Sequence, residues 1–268
     1  MKSTTLILAA LLLVPSLAHA DRKDKKKLYL RAGVARLTPL EQSREMELAD
    51  VDGPASLAVQ NGPIAGSGAS VSSATIFGMI VGYQLPWKGG RVSVETILGL
   101  PFTVKFKATG TLANESIAPM ALGLPTGVGP LGEELGEAKA IPPVVTLVYA
   151  FGDNERIHPY AGGGAAVMFT TDAHVTNPML TAVAEPDMSI APAPGLVLQG
   201  GIDAKIANHV YARLDVKFIA GMLARARVEH IQVQTPDLPL FDTVEVGTAK
   251  MSMWVNPLII QAGIGTDF

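Results

Sequence analysis

From Leu28 onward, apolar residues recur at every second position, the period of strands whose two faces meet different surroundings. Arg91 to Lys107 is the clearest case. Its even positions read Val92, Val94, Thr96, Leu98, Leu100, Phe102, Val104 and Phe106, while its odd positions hold Arg91, Ser93, Glu95, Lys105 and Lys107. The pattern assigns the whole even face to an apolar exterior. The same split recurs in Leu196–Lys205, Val210–Phe218 and Leu258–Phe268, and more weakly in Leu28–Thr38, Ser73–Leu85, Lys139–Phe151 and Ile157–Thr170. This predicts eight strands of the length that crosses a bilayer when tilted.

The connections alternate in length. Pro86–Gly90, Gly152–Arg156 and Ala207–His209 are short; about Pro39–Ser72, Ala108–Ala138, Thr171–Ile190 and Ile219–Asn256 are long. Outer-membrane barrels sort their connections this way, and soluble sandwiches have no reason to. The expectation is an all-β, eight-stranded antiparallel transmembrane β-barrel with long outer loops and short periplasmic turns. Further alternation in Val228–Val233 and Val244–Trp254 extends two strands above the membrane or adds a hairpin, which keeps ten strands open.

Residues 1–20 have the form of an export signal. Lys2 supplies the positive region, Leu6 to Leu17 the apolar core and Ala18-His19-Ala20 the cleavage site, and a core this short does not span a bilayer. The expected organisation is a signal peptide over 1–20, a charged tail over 21–27 and a barrel over 28–268, placed in a bacterial outer membrane.

Composition narrows the function. Only 17% of the residues are charged and 48% are hydrophobic, against about 25% charged in soluble domains. A net charge of −3 offers no basic face for nucleic acid. Without cysteine there is no disulfide frame, zinc–thiolate site or cysteine nucleophile. No H-E-x-x-H or G-x-S-x-G pattern accompanies the histidines, so no catalytic, metal or cofactor residue is assigned and the chain is not read as an enzyme. Glu41, Glu45, Glu133 and Glu134 are loop carboxylates that offer oxygen ligands for divalent cations or simply solvate the loops, and solvation is the favoured reading. Gly162-Gly163-Gly164 completes no phosphate-loop pattern and reads as close backbone approach in a curved strand.

Charge follows the loops. The long connections are acidic, while the strands and short turns carry net positive charge, and basic side chains cost about 2–4 kcal/mol at mid-bilayer on a lipid face. The strand charges therefore point inward: Glu95, Lys105, Asp203, Lys205, Arg213, Asp215 and Lys217 are the lumen-facing candidates. They form either a polar pathway or an ion-pair network plugging a narrow barrel. Tyr29, Tyr83, Trp87, Phe151, Tyr160 and Tyr211 fit one interfacial belt, and Phe102, Phe106, Phe169 and Phe218 the other. Phe268, ending an alternating strand, is the candidate assembly signal, read by barrel-assembly machinery. Pro101, Pro142 and Pro143 lack ladder donors and are candidates for a weak seam and lateral exit, or for strand ends near the rim.

Several segments resemble the OmpW family of small outer-membrane barrels. Ile141 to Asn154 followed by His158-Pro159-Tyr160-Ala-Gly-Gly-Gly164 resembles the family's paired-proline strand, tight turn and P-Y-x-G-x-G strand. Glu95–Lys105 is similar to its E-x-x-x-x-x-P-F strand, Gly195–Asp203 to its G-x-x-x-Q-x-G-x-D strand, and Asn256–Phe268 to its closing N-P…G-x-G-x-x-F strand. The resemblance implies an eight-stranded barrel with a narrow interior, set in outer-membrane lipid, that passes or binds small hydrophobic molecules and releases them sideways. The alternative is a non-conducting structural or surface-interaction barrel whose acidic loops meet partners.

Overall fold

The computed structural model describes residues 27–268 apart from 153–155 and 239; the expected signal peptide, residues 21–26 of the tail and the centre of the 152–156 turn lie outside the described residues. Twelve strands carry the architecture: β1 (Leu28–Thr38), β2 (Ala74–Gln84), β3 (Val92–Gly99), β4 (Phe102–Gly110), β5 (Glu134–Ile141), β6 (Val144–Ala150), β7 (Ile157–Val175), β8 (Ala193–Ala207), β9 (Val210–Ala220), β10 (Leu223–Gln234), β11 (Thr243–Val255) and β12 (Leu258–Asp267). Eight of them, in the order β1–β2–β3–β6–β7–β8–β9–β12, pair antiparallel and close back onto β1. Closure leaves no unpaired sheet edge, which is what a strand structure needs in lipid. Along β8 and β9 the even residues Leu196, Leu198, Leu214 and Val216 are exposed on the outside, whereas Val197, Gln199, Arg213 and Asp215 are buried inside.

The upper third departs from the simple pattern. β4 continues the line of β3 and β5 leads into β6, with Leu100-Pro101 and Pro142-Pro143 at the joints. Across Leu100-Pro101 the alternation reverses: Ser93 and Glu95 are buried in β3, but Val104 and Phe106 are buried in β4 and Lys105 is exposed. Residues out of the ladder shift the strand by an odd step, and a one-residue slip flips every later side chain. The even face of Arg91–Lys107 is therefore not one lipid surface. Its first half faces lipid and its second half a core above the membrane.

That core belongs to an outer head. β4, β5, the upper part of β7 and Ser67–Val71 form one sheet. The β10–β11 hairpin, with Asp187–Ala191, Glu41–Ser43 and Glu47–Ala49, forms the other. Both sheets contribute to one apolar cluster that includes Leu48, Phe106, Leu135, Ile231 and Val246. Each such side chain withdrawn from water contributes roughly 1.5–3 kcal/mol, enough to order connections that would otherwise be long loops. The alternating stretches 228–233 and 244–254 thus extend the head rather than the barrel wall, and the wall has eight strands.

Candidate functional site: an apolar column above a charged floor

Strand register builds the barrel floor. Tyr29 on β1 lies opposite Gly82 on β2, which lies opposite Glu95 on β3. Because Gly82 has no side chain, the Tyr29 ring lies across it (a Cβ there would overlap the ring) and its hydroxyl donates to Glu95 Oε1 at 2.6 Å. The same device recurs across the barrel. Tyr160 on β7 crosses Gly201 on β8 and donates to Asp215 Oδ2 on β9 at 2.6 Å.

Arg213 ties the rows together. Its Nε and one terminal nitrogen grip both oxygens of Asp203, its register partner, at 2.7 and 2.8 Å, and the other terminal nitrogen donates to Glu95 at 2.7 Å. Its guanidinium lies over the Tyr160 ring at 4.5 Å, an arrangement worth about 2 kcal/mol or more when dry. Gln199 donates from Nε2 to Glu95 and Asp215, both at 2.7 Å, and accepts from Thr146 at 2.7 Å. Lys217 donates to Asp215. Arg31 pairs with Asp267 at 2.8 Å and with Asp203 at 3.5 Å, between the rings of Tyr29 and Tyr211. Below this layer a polar vestibule of about 120 Å³ opens on the short-turn side. Every carboxylate of the floor is paired, which a buried charge requires.

Five of the seven lumen candidates, Glu95, Asp203, Arg213, Asp215 and Lys217, meet in this floor. Lys105 and Lys205 do not. Lys105 follows the parity reversal and faces out. Lys205 keeps the inward parity of Asp203, but opposite Tyr211 it has reached the turn end and is exposed. Tyr29 and Tyr160, expected in a lipid belt, are buried inside, and Phe106 is buried in the head. Tyr83, Trp87, Phe151 and Phe169 are exposed, as belts require. Gln199, Arg31 and Asp267 are additional floor members. Their odd positions in alternating strands were the available signal.

Above the floor the chemistry inverts. A cavity of about 270 Å³ at the far end of the head is walled by side chains such as Leu57, Val59, Val128, Val233 and Val246. Its two threonines are spoken for, because Thr126 donates to Ala118 O and Thr235 to Phe241 O. Val233 and Val246 also wall a second cavity of about 60 Å³. Phe106 in turn is shared with a third of about 40 Å³ at the top of the barrel, which reaches Phe102, Pro142 and Ile259. The three are separate apolar cavities in series, linked by the side chains they share, and together they make up an apolar column of the head.

The column ends beside a seam. β3 and β6 pair as far as Thr96 opposite Val145, and β4 and β5 resume at Phe102 opposite Ala140. Between these points residues 97–101 and 141–144 are not paired with each other, although Ile97–Gly99 stay paired with β2, and Ile141 and Val144 with β7. Thr96 Oγ1 closes the lower edge on Val144 O at 2.9 Å. On the other side the wall is intact, with Val167 N donating to Pro143 O at 3.2 Å. Backbone polar groups alternate in direction along a strand, so Pro143 faces β7 and Pro142 faces the seam, where it has no N–H to offer. All three prolines singled out by the sequence border this seam.

The remaining candidates have structural partners. Glu41 accepts from Val71 N at 2.7 Å and Glu45 from Gly66 N at 2.8 Å; burial pushes the Glu41 carboxyl up from its ordinary value. Glu133 accepts from Lys107 at 3.2 Å and Glu134 from Thr176 at 2.9 Å. Gly162 and Gly164 sit where a Cβ would strike the Leu147 and Val145 carbonyls. Phe268 is exposed, its N–H donating to Leu28 O at 2.7 Å.

The OmpW family profile matches residues 25–268. No individual curated protein sequence matches significantly. Among solved structures, the outer membrane protein OprG from Pseudomonas aeruginosa superposes with a TM-score of 0.67 at 20% identity, covering 91% of this chain and 96% of that one. The outer membrane protein AlkL, solved in DMPC lipid bilayers, gives a TM-score of 0.53 at 17% identity over 93% of this chain and 94% of the other. At these identities both establish the shared fold.

Proposed function

This chain belongs to the OmpW family and is an integral outer-membrane β-barrel, and from that premise we propose that it passes small hydrophobic molecules from its outer tip into the membrane sideways, through the seam between β3–β4 and β5–β6. The observation that carries this reading is the series of apolar cavities, linked by shared wall residues, that ends at Phe102 and Pro142 above a floor of buried charge. An oily solute that follows the column gains nothing by continuing downward, since entering the floor means breaking paired charges. Turning sideways keeps it in apolar surroundings. Both threonine hydroxyls of the outer cavity already donate to backbone carbonyls, and the other side chains described in its lining are apolar, which favours hydrocarbon-like solutes.

Filling of the lumen by ion pairs equally favours a second reading, a barrel that conducts nothing. Uptake separates them. Liposomes or cells carrying the chain take up an oily solute faster than those without it, and Pro142→Val with Pro143→Val slows uptake by restoring a donor toward β3, while heat-modifiable migration stays native. Uptake no faster than in cells lacking the protein defeats transport. Unchanged uptake in the proline variant defeats the seam.

A further inference from the structure

The outer rim of the column has more exposed apolar surface than a cavity wall needs. Leu57, Leu122 and Leu240 all line the outer cavity, yet they are 45%, 77% and 87% exposed. They sit on three separate loops beyond the Gln234–Thr243 end of the β10–β11 hairpin, the part of the head farthest along the hairpin from the barrel. Leu122 is also held at φ 51, next to Gly123 at φ 81, in the turn that pairs Leu124 with Ala121. Such a turn favours Asn, Asp or Gly at its first position, and leucine there costs conformational energy as well as hydration. Isolated apolar side chains on a surface need no explanation, but a cluster ringing an apolar opening marks an interaction site.

Charge selects the partner. The stretches forming this rim, 51–66, 111–132 and 235–243, hold Asp52, Glu115, Asp237 and Asp242 and no lysine or arginine. Surfaces that settle on anionic lipid use basic residues, each worth about 1 kcal/mol near the headgroups; this rim repels such a surface. Anchoring on a neutral apolar phase needs only exposed hydrocarbon.

We propose that the outer tip docks on the surface of a neutral hydrocarbon phase, such as a droplet, with Leu57, Leu122 and Leu240 immersed and the cavity mouth opening directly into it. For its purpose this rests on the conduit reading: solute would be drawn from a phase where it is concentrated, without crossing water. Docking itself is separable from conduction.

The test is co-flotation. Phosphatidylcholine vesicles carrying the full chain are mixed with a hexadecane emulsion, and the fraction rising with the droplets is measured against protein-free vesicles. Wild-type vesicles should co-float, and the triple variant Leu57→Asp, Leu122→Asp, Leu240→Asp should lower the partition constant about tenfold, or about 1.4 kcal/mol. Equal co-flotation of the two overturns the proposal. So does wild-type vesicle capture by protein-free phosphatidylglycerol vesicles as strong as by droplets. Leu240→Trp gives an independent readout at an exposed position, taken as the difference from wild type, which carries Trp87 and Trp254. The added emission should shift to the blue on adding droplets, and an indole that stays in water also overturns docking. Hydrocarbon delivered from soluble cyclodextrin tests the conduit without an interface. Its failure to enter with wild-type protein counts against the proposed function, and co-flotation still decides docking.

Discussion

Arg213→Met tests the floor most directly. Arg213 is 5% exposed and makes two hydrogen bonds to Asp203 and one to Glu95, all within 2.7 to 2.8 Å. Methionine fills similar apolar volume but strands two carboxylates. Among the described residues, Asp203 keeps Arg31 at 3.5 Å, and Glu95 keeps the neutral donors Tyr29 and Gln199. Removing one partner of a buried ion pair costs about 3–5 kcal/mol, chiefly through the charge left behind. Arg213→Lys should fall between wild type and Met, since an ammonium cannot grip Asp203 with two parallel bonds. The assay is urea unfolding of the protein refolded into phospholipid vesicles, followed by heat-modifiable migration. Solute uptake is measured on the folded fraction in parallel. A loss below about 1 kcal/mol would show that the floor is hydrated rather than a dry ion-pair layer. Oily-solute uptake that rises in the folded variant would refute sideways exit, because it would mean that the floor is what stops a straight path.

Leu147 is exposed on the lipid face opposite Gly163, between the Phe151 and Phe169 levels. Leu147→Arg should therefore destabilise the barrel by about 2–4 kcal/mol in the same unfolding assay, and a neutral result would place that face toward the lumen. Gly82→Ala should displace the Tyr29 ring from Glu95 and cost about 1–3 kcal/mol as an overpacking strain; Gly82→Ala with Tyr29→Phe should recover little, whereas adding Tyr29→Ala should recover more because the overlap is steric. Deleting Phe268 should reduce the outer-membrane, heat-modifiable population, measured by fractionation and gel migration, and undiminished insertion would end its candidacy as an assembly signal.

Alternation by itself determined the wall. A side-chain period of two, with apolar residues on one parity and Glu95, Asp203, Arg213, Asp215 or Lys217 on the other, has one inexpensive arrangement in a membrane, and the short and long connections orient it. The same reasoning failed at Leu100-Pro101, because parity is inherited only along an unbroken ladder. The break at Leu100-Pro101 reverses the parity, leaving Lys105 exposed and Phe106 buried in the head. Tyr29 and Tyr160 misled for a related reason: an aromatic near a strand end fits a belt or an interior equally well. What settles it is the strand beside it. Gly82 and Gly201 are distant in sequence from the tyrosines that cross them, and only closure of the barrel brings each tyrosine, glycine and carboxylate into one row. The column was likewise invisible along the chain, since its walls come from all four long connections and from strands whose apolar residues read locally as ordinary alternation. A sequence carries the period of its strands; the register between them, which depends on long-range pairing and on where the ladder breaks, belongs to the folded barrel alone.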